Sequence, residues 1–102
     1  MFRRRVGWSL ADAAERHAAA PDTFRVPADA ALAAVRVGDR VKVVVVPQQG
    51  LEERMWVVLE RVDEVELEGR LQSEPVELRS LHAGDPVVLE RRNVVAIGRR
   101  DD

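Results

Sequence analysis

The chain has 102 residues, no cysteine and a formal net charge of −2. A chain of this length forms one domain, which buries roughly two-thirds of the surface of its unfolded state. Without cysteine there is no disulfide framework, no thiolate chemistry and no zinc site built on thiolates. A mildly acidic domain also lacks the clustered Lys and Arg that neutralise phosphates, so the composition argues against nucleic-acid binding.

The charges divide unevenly along the chain. Residues 1–42 contain eight basic and five acidic residues, whereas residues 43–102 contain eight basic and thirteen acidic residues. The run Arg3–Arg5 resembles the start of a secretory signal, but Asp12 and Glu15 interrupt the apolar stretch that such a signal requires. Since no apolar run approaches the ~20 residues that span a bilayer, we expect a cytoplasmic protein without membrane contact and a solvated terminus at Arg3–Arg5.

The first third of the chain predicts helices. Ser9 and Asp12 resemble a capping box that starts a helix. Apolar residues then recur at helical spacing over residues 10–18, until Pro21 ends the run. Residues 29–34 are rich in alanine and predict a second short helix. Both helices have small apolar faces, so we expect them to cover a sheet.

From Asp39 onward the hydrophobic period changes to about two, which is typical of strands. Strands are predicted at residues 40–46, 54–62, 64–71, 76–78, 87–89 and 94–97. Tight turns between short strands indicate an α+β fold: a small antiparallel, SH3-like β-barrel or strongly bent sheet of five to six strands, preceded by one or two short N-terminal helices. We expect a single domain over residues 1–102, with a helical lead-in over 1–36 and a β-rich core over 37–98.

Glycines mark three positions in the predicted sheet. Gly38-Asp39 and Gly84-Asp85 each precede a valine-containing strand. Glycine allows a positive φ at a turn, and an aspartate side chain can accept a hydrogen bond from a backbone N–H at the strand entry. We therefore predict two structurally similar strand entries. Gly69, inside an alternating strand, predicts a bulge or bend where the sheet curls.

Several motifs resemble one family of small bacterial domains. They are Val-Gly-Asp-Arg-Val-Lys, Glu-Arg-Met-Trp-Val, Gly-Arg-Leu, Glu-Pro-Val, Leu-x-x-Gly-Asp and Asn-Val-Val-Ala-Ile, at residues 37–42, 53–57, 69–71, 74–76, 81–85 and 93–97. With the lead-in Pro-Asp-Thr-Phe, this order resembles the YegJ-like family of unknown function over roughly residues 16–97. The resemblance implies the fold class and, by association, toxin-immunity settings. This chain departs from the family at Gln72-Ser73, where the family carries an asparagine.

The reactive residue types do not form a catalytic or metal-binding pattern. His17 and His82 have no ligand spacing around them, and no serine lies in a Gly-x-Ser-x-Gly elbow. The six glycines are scattered, so no phosphate-binding loop is present. We therefore predict no catalytic residue, no metal, no cofactor and no enzymatic activity.

Two features predict binding. The first is Glu53-Arg54-Met55-Trp56, because Trp and Arg are enriched at interfaces; the simpler interpretation makes Trp56 the largest residue of the core. The second is the acidic row of Glu64, Glu66 and Glu68, extended by Glu74. Aligned carboxylates could steer a basic partner, although a charged strand edge that prevents aggregation explains them more simply.

Two functions remain open on this sequence. The leading one is a non-catalytic interaction module that binds a basic protein partner through the acidic strand face, in the manner of an immunity protein. The alternative is a small-molecule sensor or minor enzyme with a pocket near Trp56, Arg54 and Glu74. A filled barrel favours the first function, and a deep pocket with converging Arg and Glu favours the second.

Overall fold

A computed structural model describes residues 7–98 of the protein. The fold is α+β, with two short helices and a six-stranded antiparallel sheet that curls into a half-barrel. The predicted fold class is therefore confirmed. The elements are β1 (Trp8–Leu10), α1 (Ala13–Ala19), α2 (Asp29–Ala33), β2 (Arg40–Pro47), β3 (Glu53–Val62), β4 (Leu67–Leu71), β5 (Pro86–Leu89) and β6 (Val94–Gly98), with a 3-10 turn at Arg91–Asn93 before β6.

Strand β2 is the centre of the sheet. The strands run in the order β1-β2-β3-β4-β5, and β6 also pairs with β2. On β2, residues 45–47 pair with β1 and residues 40–43 pair with β6, so these two short strands share the edge opposite β3. Strand β2 therefore has neighbours along both edges, and the core and the helical segment bury its residues Val41, Val43, Val44 and Val45.

Two apolar clusters lie on opposite faces of the sheet. The larger one fills the concave side with side chains from β2 to β6, each less than 9% exposed: Val41, Val43, Val45, Met55, Val57, Leu59, Leu67, Leu71, Val87, Leu89 and Val94. The smaller one lies on the outer side, where Ala11, Ala13 and Phe24 pack over Val44 and Val95. Burial of each large aliphatic side chain stabilises the fold by roughly 1.5–3 kcal/mol. The N-terminal segment from Ala11 to Phe24 therefore covers part of the sheet, as expected.

The start of the first helix differs from the prediction. Ser9 lies in β1, and Asp12 is the N-cap of α1, with its carboxylate accepting a hydrogen bond of 3.0 Å from the Glu15 N–H. The prediction of Ser9 as the cap is therefore wrong, and the helical lead-in also contains a strand. Arg3–Arg5 and the terminal Arg99-Arg100 lie outside the described residues.

The two Gly-Asp turns are built alike. Gly38 has a φ of 96° and Gly84 a φ of 88°, as a type II turn requires. In each turn the following aspartate accepts a hydrogen bond of 2.9 Å from the backbone N–H three residues earlier, at Arg36 or His82. Each glycine N–H donates to a leucine carbonyl of the neighbouring strand at 2.8 Å. The prediction of two similar strand entries is confirmed.

Residues 72–85 connect β4 to β5 without forming a strand. The strand predicted at residues 76–78 is therefore absent from this segment, and Val76 is 88% exposed. Pro75 and Leu81 are buried and anchor the connection. We call residues 72–85 the β4–β5 loop.

The described part of the chain contains no helix that is long and apolar enough to cross a membrane.

Candidate functional site

The outer face of the sheet carries Trp56 in contact with two cationic side chains. Trp56 of β3 pairs with Lys42 of β2, and Arg40 precedes Lys42 by two residues. The Trp56 ring centroid lies 4.8 Å from the Lys42 Nζ and 5.1 Å from the Arg40 Cζ. Met55 and Val57 face the core, so the alternate residue Trp56 faces outward and is only partly buried. The interpretation of Trp56 as the largest core residue is therefore wrong.

Small residues on β6 make room for these cations. Lys42 pairs with Ala96 and Arg40 pairs with Gly98. A Cβ atom added to Gly98 would lie 3.1 Å from the Arg40 Nη2, so a larger residue would crowd the guanidinium. Three strands thus form one surface of small, cationic and aromatic residues. We call it the Trp56 face, comprising Arg40, Lys42, Trp56, Ala96 and Gly98.

The cations of this region have few carboxylate neighbours. Among the salt bridges of residues 7–98, none involves Arg40, Lys42 or Arg54. The pKa of Glu52 is lowered mainly by its hydrogen bond from Arg16, and to a smaller extent by the charge of Arg54. Arg54 lies two residues before Trp56 on β3, so it borders the Trp56 face, and it forms no ion pair within residues 7–98.

Glu53 ties the β4–β5 loop to the sheet. Its carboxylate accepts hydrogen bonds from the backbone N–H groups of Val76 at 2.8 Å and Glu77 at 3.3 Å. These bonds satisfy backbone donors that have no strand partner. Glu53 thus forms intramolecular hydrogen bonds, where the sequence predicted an exposed contact for a partner.

Glu74 holds the same loop at its other end. Its carboxylate lies 2.7 Å from the His82 Nδ1 and accepts a hydrogen bond of 3.1 Å from the Ala83 N–H. The hydrogen bond with His82, with a further contribution from Ala83, lowers the pKa of Glu74 below its ordinary value of 4.5. The same bond raises the pKa of His82 above 6.5. Both side chains are exposed, so water and salt screen the pair.

We expect this pair to make the stability of the loop depend on pH. The raised pKa of His82 contributes stability below pH 6.5, which is lost as the pH rises through the folded-state pKa. The lowered pKa of Glu74 contributes stability above pH 4.5, which is lost as the pH falls through its folded-state value. An NMR titration should give His82 a pKa above 6.5, and Glu74→Gln should lower it. Identical His82 titrations in the two proteins would contradict the pairing.

An open depression of about 710 Å³ lies along the β4–β5 loop. Residues 74–79 and His82 line it. Of the three residues predicted to share a pocket, Glu74 lines this depression, whereas Trp56 and Arg54 do not. This depression therefore does not bring Glu74 together with the other two.

The acidic row lies at the turn between β3 and β4. Only Glu68 belongs to β4; Glu64 and Glu66 precede it. Arg61 forms ion pairs with Glu66 at 3.2 Å and Glu68 at 3.3 Å. The strand predicted at residues 64–71 is thus shorter than expected, and the acidic row is partly neutralised. We call residues 63–68 the acidic hairpin.

Arg40 and Lys42 are site residues that the sequence did not reveal. Both occupy the outward phase of β2, and Trp56 occupies the outward phase of β3. Alternation in each strand could have placed them on outer faces, but their contact depends on the register between strands. No group of three or more His, Asp or Glu residues within residues 7–98 is arranged to hold a metal ion.

Comparisons with known proteins give no relative from which function could be transferred. No protein-family model, curated protein or solved structure matches the chain. The likeness to the YegJ-like family therefore stays a prediction.

Proposed function

We propose that this protein is a non-catalytic interaction module that binds a basic protein partner through its acidic hairpin. The observation that carries the proposal is the filled concave side of the sheet. Val41, Val43 and Val57 are 0% exposed and Leu59 is 1% exposed, so apolar side chains occupy the space where a small barrel could hold a ligand. Recognition then falls to the outer surface.

The acidic hairpin has the chemistry for a basic partner. Asp63, Glu64, Glu66 and Glu68 supply four carboxylates. The cation beside them is Arg61 of β3, which pairs with all of them except Glu64. Val65 lies among them and is 71% exposed. Carboxylates steer a basic surface toward the hairpin, and an exposed apolar side chain offers area that binding can bury.

The kind of partner follows from the resemblance noted in the sequence. The YegJ-like motifs and their association with toxin-immunity settings favour a basic toxin that the protein neutralises. A cytoplasmic location is part of the same proposal, since a chain without cysteine fits a reducing compartment.

A small-molecule sensor or minor enzyme is the second candidate. The observation that favours it is the depression along the β4–β5 loop, which carries the ionisable pair of Glu74 and His82. A ligand in this depression would contact groups whose charge changes with pH.

The test is affinity capture with the tagged protein from lysate of its own organism. A variant with Glu64→Lys, Glu66→Lys and Glu68→Lys reverses the hairpin charge. Glu15→Lys combined with Asp22→Lys adds positive charge at exposed positions elsewhere and serves as the control. Circular dichroism should show that both variants are folded.

We expect a basic protein, identified by mass spectrometry, to bind the wild type and the control in stoichiometric amounts. Binding by the hairpin variant should be lost, and high salt should weaken the wild-type complex. Calorimetry with the purified partner should reproduce this order. Equal binding by all three proteins, or no basic protein captured, would reject the hairpin proposal, and binding of a metabolite mixture to the Glu74 depression would then favour the sensor.

A further inference from the structure

We propose that the Trp56 face is a second docking surface, which binds an extended acidic segment of a partner protein. This inference goes beyond the function proposed above, because the acidic hairpin and the Trp56 face carry opposite charges. The face consists of residues on β2, β3 and β6, whereas the acidic hairpin lies at the β3–β4 turn.

The helical segment covers only one part of the outer sheet surface. Ala11, Ala13 and Phe24 pack over Val44 and Val95 there. Lys42 and Ala96, which occupy the adjacent outward positions, do not belong to this cluster, and both are only partly buried. The Trp56 face is therefore the continuation of the same surface beyond this cluster, and each of its residues is partly exposed.

The two cations on this face are held in place without an anion. Arg40 and Lys42 lie 5.1 Å and 4.8 Å from one indole ring, and neither forms an ion pair among the described residues. Cation–π contacts restrict both side chains, so less rotamer entropy is lost when they bind. Two neighbouring like charges repel each other, and a carboxylate between them would remove that repulsion and accept charge-assisted hydrogen bonds.

The spacing of the cations fits an extended chain. Arg40 and Lys42 are two residues apart on one strand, so their Cα atoms are separated by roughly 6.6 Å. Carboxylates on alternate residues of an extended peptide have the same spacing. Arg54, over the Phe24 ring at 5.5 Å, adds a third cation on β3. The complementary ligand is therefore a Glu-x-Glu type of segment.

Charge complementarity favours a polypeptide over a nucleic acid. The whole chain has a net charge of −2, and the acidic hairpin belongs to the same sheet. A long nucleic-acid strand that extended beyond the Trp56 face would be repelled by this negative charge, whereas a short acidic segment would stay within the face. The Trp56 ring also carries two cations already, with which a stacking nucleobase would compete.

The experiment uses two synthetic peptides of about 12 residues, one with Glu and one with Gln at alternate positions, a spacing that places these side chains on one face of an extended chain. Binding to the full chain is followed by NMR through the indole N–H of Trp56, which Trp56→Phe assigns, and by calorimetry at about 50 mM and about 300 mM NaCl. Variants are Arg40→Gln with Lys42→Gln, and Arg25→Gln with Arg79→Gln, two exposed positions outside the sheet, as the control of equal charge change. Unfolding curves check that each variant folds.

We expect the Glu peptide to shift the Trp56 signal and the Gln peptide to leave it unchanged. Affinity should fall at least about tenfold at the higher salt concentration, because salt screens the charges. It should fall by a similar factor in the Arg40/Lys42 variant, because charge-assisted hydrogen bonds are lost. The control variant should bind as the wild type does.

Three results would overturn the proposal. The first is equal binding of the Glu and Gln peptides, or no binding of either. The second is tighter binding of a single-stranded oligonucleotide of the same charge at this face. The third is a concentration-dependent dimer in analytical ultracentrifugation that the Arg40/Lys42 variant abolishes, because a second copy would then occupy the face. Each result leaves the hairpin proposal intact, since that proposal is tested with hairpin variants.

Discussion

Replacing Gly69 by alanine is expected to destabilise the protein by about 3 kcal/mol or more, a large part of the ~5–15 kcal/mol that stabilises a typical domain. A Cβ atom on Gly69 would lie 2.2 Å from the backbone oxygen of Val58 and 2.6 Å from the Cγ1 of Val57. The nearest obstacle is backbone, which cannot rotate away as a side chain can. Relief of the clash therefore requires β3 and β4 to separate.

The matched control is Gly84→Ala. Gly84 has a φ of 88°, but a Cβ atom there would meet nothing within 4 Å, so only the strain of the left-handed conformation remains, about 1 kcal/mol. Urea unfolding followed by circular dichroism should give the larger loss for Gly69→Ala. A smaller loss for Gly69→Ala than for Gly84→Ala would show that the strands do not approach so closely in solution.

Asp39→Ala is expected to lower the free energy of unfolding by about 1.5 kcal/mol. The Asp39 carboxylate accepts a hydrogen bond from the Arg36 N–H, and Asp39 is only 9% exposed. Alanine would leave that backbone donor without its partner where water has little access. Asp39→Asn keeps an acceptor oxygen, so we expect it to recover much of the loss.

The equivalent turn at Asp85 provides an internal comparison. Asp85 makes the same bond to the His82 N–H, but this contact is exposed to solvent. Water can replace the carboxylate there, so Asp85→Ala should cost less than Asp39→Ala. Chemical denaturation of both variants measures the difference. An equal or larger loss for Asp85→Ala would mean that burial does not control the strength of these turns.

Strands β2 to β6 could be predicted because their signals are local. The run of valines after Arg40 placed β2 and the period of two placed β3, each to within one residue, since both patterns depend on neighbouring side chains only. The two Gly-Asp turns were equally predictable, because a positive φ and an aspartate acceptor are properties of four consecutive residues. Gly69 was expected at a bulge or bend, and the register shift lies beside it on β3, between Leu59 and Arg61.

The errors occur where distant residues compete with local preference. Ser9 was predicted as a helix cap, but its backbone pairs with Val46 in β2. Val76 was predicted in a strand, but the Glu53 carboxylate binds its backbone N–H and leaves the side chain exposed. Each partner lies more than 20 residues away in the sequence, so no local pattern could reveal it.

The amino-acid sequence thus determined strands β2 to β6, the two Gly-Asp turns and which side chains alternate between two faces. Only the tertiary structure decided that Trp56 faces outward and lies against Arg40 and Lys42. Alternation divides a strand into two faces, but the pairing register and the packing of other segments decide which face is covered and which strands meet. The acidic hairpin shows the same division, since its carboxylates are evident in the sequence and their neutralisation by Arg61 depends on the fold.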